Sequence, residues 1–63
     1  MASNHPQYRG PDLRAERVRR GLTQADIAER LGVSRTRVTA IEAAWRPPTT
    51  IIRRYLAALG AVE

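Results

Sequence analysis

The chain has no cysteine and no lysine, and its one histidine, His5, sits in the opening stretch MASNHPQYRG without Asp, Glu or Cys at ligand spacing. Disulfide staples and thiolate zinc sites are thereby excluded, and no metal-binding role is expected. No apolar run approaches the roughly 18 residues of a membrane span, and the N-terminal stretch holds no hydrophobic signal core. No membrane association is expected, and the expected location is cytoplasmic. There is no glycine-rich phosphate loop and no pair of carboxylates suited to acid–base chemistry, and 63 residues leave little room for a closed cleft. The expectation is a protein that is not an enzyme and needs no cofactor.

What the chain does have is arginine. All eleven basic residues are arginine, against six acidic ones, for a formal charge of +5. A small basic domain suits nucleic acid, a membrane surface or an acidic protein. The guanidinium fork matches phosphate and guanine, although arginine-only usage fits a GC-rich genome equally well. The length allows one domain, which would bury only about 60% of its unfolded surface and so gains from a dimer partner. Residues 1–10 are polar and aperiodic and read as a flexible arm; residues 11–63 read as the domain.

Four short helices are expected, near 11–20, 23–31, 34–43 and 50–59. Pro11 suits a first helical position, Asp12 the start and Arg19-Arg20 the end of the first helix, which Gly21 closes. Leu13 and Val18 are expected to face inward. Thr23 is an N-cap with Asp26 three residues on, and Ile27 and Leu31 repeat at i, i+4. Gly32 takes the position where the chain reverses. Val33 is expected to be buried under that turn, and Ser34 caps a helix whose apolar positions are Val38 and Ile41. Pro47-Pro48 prevent that helix from continuing. Thr49 or Thr50 is expected to cap the last helix. There Ile52, Leu56 and Leu59 fall at i, i+4, i+7, with Ile51, Tyr55 and Ala58 alongside, an apolar face wider than one small core requires.

Two helical patterns joined through Leu31-Gly32-Val33-Ser34 make a helix-turn-helix, whose second helix is free to enter a major groove. The stretch resembles the phage repressor and Cro family of DNA-binding domains, carried by Gly21-Leu22-Thr23-Gln24, Ala28, Gly32-Val33-Ser34, Val38 and Ile41-Glu42. The likeness spans about Leu13 to Gly60. It implies a compact all-α bundle of four helices, or five where relatives carry a further C-terminal element. Only Ala61-Val62-Glu63 follow Gly60, so the chain is expected to be either a minimal version or a fragment. The family also implies that Arg17 pairs with Glu42; two independent surface charges are the plainer reading.

By helix geometry, Arg35, Thr36, Thr39 and Ala40 lie on the outer face of the second helix of the motif, opposite Val38 and Ile41. The matching family positions reach base edges. Arg35 can grip guanine O6 and N7, whereas Ala40 offers only a methyl group. Thr23, Gln24, Ser34, Arg37 and Arg46 are phosphate candidates. A single such domain reads few base pairs, so a homodimer on an inverted repeat is expected, pairing through Trp45, Pro47, Ile51 and Tyr55. The expected function is a transcriptional regulator, most simply a repressor, working at the nucleoid of a bacterium or in a phage-infected host. Two alternatives remain: an antitoxin-type autoregulator that also binds a toxin, for which Arg53-Arg54-Tyr55-Leu56-Ala57-Ala58-Leu59-Gly60 is the similar stretch, and a protein-interaction adaptor using the last helix and Trp45.

Overall fold

A computed structural model describes residues 8–60, so His5, the rest of arm residues 1–7 and the C-terminal residues 61–63 lie outside the described residues. Four α-helices follow in order: α1 Gly10–Arg19, α2 Gln24–Leu31, α3 Arg35–Ala43 and α4 Thr49–Ala58. No strand occurs among the described residues, and the architecture is the all-α bundle expected. α3 packs on α1 and α2, and α4 closes across α2 and α1.

Local chemistry sets most of these boundaries. Thr23 and Asp26 form a reciprocal capping box. The Asp26 N–H donates to Thr23 Oγ1 at 3.0 Å, and the Thr23 N–H donates to Asp26 Oδ2 at 2.8 Å. Gly32 ends α2 at φ 72°, a left-handed conformation, and the Val33 N–H then reaches back to the Ala28 carbonyl at 2.9 Å. Ser34 Oγ accepts the Arg37 N–H at 3.0 Å and starts α3. The connection between α2 and α3 is therefore only three residues long. The small side chain of Ala28, 6% exposed, lets the two helices approach.

Leu13, Ile27, Val38 and Tyr55 are wholly buried, with Ala28, Ile41 and Leu59 nearly so. Burying each large apolar side chain contributes about 1.5–3 kcal/mol. Several expectations need correction. Val18 is 52% exposed: five residues past Leu13 it sits roughly 140° round the helix, and Arg17 takes the inward place instead. Val33 is half-buried under its turn rather than enclosed. Tyr55 was expected at a dimer surface but is 0% exposed. Pro47 is buried too, so neither offers a surface to a second copy. The threonines do not cap α4. Pro48 is its N-cap, without a side-chain bond, and the Pro48 carbonyl accepts the Ile52 N–H at 3.0 Å. The diproline's extended geometry runs straight into the helix.

The arm is also shorter than read from the sequence. Tyr8 packs against the core, and Gly10, not Pro11, is the first residue of α1. Gly10 is buried against the end of α3, its N–H donating to the Ala44 carbonyl at 2.8 Å. A Cβ there would stand 2.5 Å from the carbonyl oxygens of Ile41, Glu42 and Ala44. Only glycine lets the positive start of α1 meet the negative end of α3 this closely.

One charged cluster runs through the core. Arg17 and Glu42, 7% and 5% exposed, are joined by two bonds, Nε to Oε2 at 2.8 Å and Nη2 to Oε1 at 3.1 Å. Arg17 Nη1 also donates to the Leu22 carbonyl at 2.8 Å. The Tyr55 hydroxyl donates to Glu42 Oε2, and Gln24 Nε2 donates to Oε1 at 3.0 Å. Burial works to raise the Glu42 pKa, but the bonds from Arg17, Tyr55 and Gln24 outweigh it and hold the carboxyl below its ordinary 4.5. Burial and the bond to Glu42 push the Tyr55 phenol upward. Among the described residues no buried side-chain N or O lacks a partner.

Two outcomes follow. Gly10→Ala should lower the unfolding free energy by about 2 kcal/mol in urea titrations, since the added carbon must displace backbone; an unchanged midpoint would contradict the close approach. Glu42 has a depressed folded pKa, so the stability it supplies is complete above its unfolded value and is lost as pH falls through the folded one. Glu42→Ala should cost about 3 kcal/mol at neutral pH, and Glu42→Gln should flatten the decline of stability below pH 4.5. A double-mutant cycle with Arg17→Met that shows no coupling would remove the pair from the energetics.

Candidate nucleic-acid interface

With Val38, Ile41 and Glu42 of α3 turned inward, the helix presents Arg35, Thr36, Arg37, Thr39 and Ala40 to solvent. Arg35 and Thr39, like Thr36 and Ala40, are one turn apart, so the four share a face. The first turn of α2 lies beside it. Thr23, Gln24 and Ala25 line an open depression together with Arg35 and with Val18 and Gly21 from the end of α1. The exposed Val18 is thus part of the lining of this depression.

The charge distribution on α3 runs against helix stability. α1 carries Asp12 in its first turn and α2 carries Asp26, whereas α3 has no acidic residue there. Arg35 and Arg37 occupy it instead, next to the positive end of the helix dipole, where each cation is unfavourable by about 0.3–1 kcal/mol. An anion docked against this turn would reverse the sign of that term. Most of the arginines elsewhere are engaged, Arg14 of α1 and Arg53 of α4 being exposed as well. Arg19 and Arg20 share Glu16 at 2.8 and 2.6 Å. Arg30 donates to the Ala58 carbonyl and Arg54 to the Leu31 carbonyl, so α2 and α4 cap each other's C-terminal ends. The Arg9 guanidinium stacks 4.3 Å from the centroid of the Trp45 ring. Arg35, Arg37 and Arg46 are exposed, with none of these partners.

As a phosphate candidate Gln24 offers its side-chain amide and the free backbone N–H groups at the start of α2. In the structure that amide is already occupied: Nε2 donates to Glu42 and Oε1 accepts the Thr39 hydroxyl at 3.1 Å. The first turn of α2, which lines the depression, also carries backbone N–H groups without intrahelical partners. The Thr23 and Ser34 hydroxyl oxygens serve as caps, and each keeps a proton to donate. Arg46 lies in the exposed loop after α3, beside Trp45, which is 64% exposed. Of the four residues expected to pair two copies, Trp45 remains exposed and Ile51 half-buried. The link from Glu42 through Gln24 to Thr39 has no local signal in the sequence beyond the polar residues at positions 24 and 39.

No helix among the described residues is long and apolar enough to cross a membrane, and none of them form a cluster of potential metal ligands. Comparison with curated proteins and with solved structures gives no match. A family model described as a helix-turn-helix domain matches residues 10–63. That match takes in α1 through α4 and the α2–α3 turn described above, and with it the chain belongs to the helix-turn-helix domain family, a family of DNA-binding domains.

Proposed function

We propose that the chain is a sequence-specific double-stranded DNA-binding transcriptional regulator of the phage repressor and Cro type. It acts as a repressor, with α3 seated in the major groove. The observation that carries this reading is the first turn of α3, where two exposed arginines sit against the helix dipole on the one face left free by the core. Arg35 reads a guanine through O6 and N7, with Thr36, Thr39 and Ala40 completing the base-facing set. Arg37, Arg46, the Thr23 and Ser34 hydroxyls and the backbone at the start of α2 hold phosphates. Two copies related by a twofold axis read an inverted repeat, pairing near Trp45 and Ile51. The antitoxin setting remains compatible with this DNA-binding scheme. The adaptor reading loses support, because Tyr55 and Leu59 are spent on the core and Ile51, Ile52 and Leu56 pack against it.

Selection from a randomised duplex pool followed by footprinting tests the scheme. The wild type should enrich two half-sites about 34 Å apart, with affinity falling steeply as salt rises. Arg35→Ala should lose about 1–3 kcal/mol of preference at one base pair per half-site. Arg46→Ala should weaken all sequences alike. A uniform loss in Arg35→Ala refutes the readout, a selected site without twofold symmetry refutes the dimer, and salt-independent binding refutes the phosphate contacts.

A further inference from the structure

Thr39 is the one hydroxyl on the base-facing surface of α3 that is tied to the buried charge cluster. Its partner Gln24 has no freedom in how it presents its amide. The ionised Glu42 carboxylate only accepts hydrogen bonds, so the Gln24 NH₂ must face it, at 3.0 Å. Gln24 Oε1 is then left facing Thr39, and two acceptors cannot bond each other. The Thr39 proton therefore points inward, to Gln24 Oε1 at 3.1 Å or to the Arg35 carbonyl at 3.2 Å. Either way the hydroxyl keeps only lone pairs and its methyl group for whatever approaches from solvent.

We propose that Gln24 is a positioning residue that fixes the polarity of the Thr39 hydroxyl, so that Thr39 meets the major groove as a hydrogen-bond acceptor. It then selects a base pair by an exocyclic amino donor, adenine N6 or cytosine N4, and discriminates against an approach by guanine O6 or thymine O4. This rests on the DNA-binding reading above and adds to it a direction of hydrogen bonding at one position. The chain of bonds is continuous: Arg17 and Tyr55 hold Glu42, Glu42 orients Gln24, and Gln24 orients Thr39. A freely rotating threonine would donate or accept with equal ease and tell the two kinds of base edge apart poorly.

Competition binding on duplex pools, using the whole chain, provides the test. The pair facing Thr39 is the one whose preference disappears in Thr39→Val, which keeps the shape and removes the hydroxyl. There the wild type should favour an amino donor by about fivefold, the worth of one hydrogen bond. Replacing that base by an analogue without its exocyclic amino group should remove the same factor, a measurement that needs no protein variant. Gln24→Met keeps the side-chain length and deletes both amide groups, leaving the Thr39 proton one shared carbonyl. Its preference at that pair should fall by about threefold, while the Arg35-dependent preference persists as evidence of an intact fold. A uniform loss of affinity in Gln24→Met, with the ratio at the Thr39 pair unchanged, overturns the proposal and returns Gln24 to a phosphate role. A wild-type preference for guanine or thymine edges at that pair overturns it as well. Absence of any sequence-dependent binding by the wild type instead overturns the DNA-binding reading, and the proposal with it.

Discussion

All four helices meet at one carboxylate. Glu42 of α3 accepts hydrogen bonds from Arg17 of α1, Gln24 of α2 and Tyr55 of α4. Among the described residues the apolar core rests on seven buried side chains, and hydrophobic burial by itself is indifferent to direction. The carboxylate is not. Its bonds demand that three partners arrive at defined angles, and any other packing of the helices would leave a charge buried without compensation, at a cost of several kcal/mol. Against an apolar replacement the cluster need not add net stability; its consequence here is that one arrangement of helices is satisfied and the alternatives are not.

Much of this was legible in the sequence, and the reason is that the signals were local. The Thr23–Asp26 box, the Gly32 turn and the Ser34 cap each depend on residues within four positions of one another, and the structure sets the α2–α3 turn where those residues sit. The pairing of Arg17 with Glu42 entered through family likeness, because 25 positions separate the two and no periodicity links them. The features that depart from the sequence expectation are set by non-local contacts. Tyr55 looks amphipathic and could stand at a surface or in a core; only the presence of Glu42 behind α4 decides for the core. Val18 fits an inward stripe until Arg17 is seen to occupy it. Gly10 looked like the end of an arm, since nothing in MASNHPQYRG shows that the carbonyls of Ile41, Glu42 and Ala44 lie against it.

The same structure separates charges that serve the fold from charges left over. Arginines at 30 and 54 close helix ends, those at 19 and 20 share one glutamate, and the one at 17 is buried. Of the remainder, Arg35 and Arg37 stand in the first turn of α3 and Arg46 just beyond its end, while Arg14 and Arg53 are exposed on α1 and α4 and Arg9 stacks on Trp45. A net charge of +5 therefore hides how the charge is divided: the formal sum counts arginines already committed to internal partners, whereas α3 and the loop after it present three exposed ones, Arg35, Arg37 and Arg46. Long-range attraction and docking thus draw on the same few side chains.

The seam between α1 and α3 has a practical bearing. Trp45 is the single tryptophan, two residues past the last turn of α3, and its indole lies under a guanidinium that belongs to the chain just before α1. The stacked pair thus bridges the start of α1 and the end of α3. The protein carries its own fluorophore at the junction of α1 and α3, where a shift of one helix against the other would change the surroundings of that one ring.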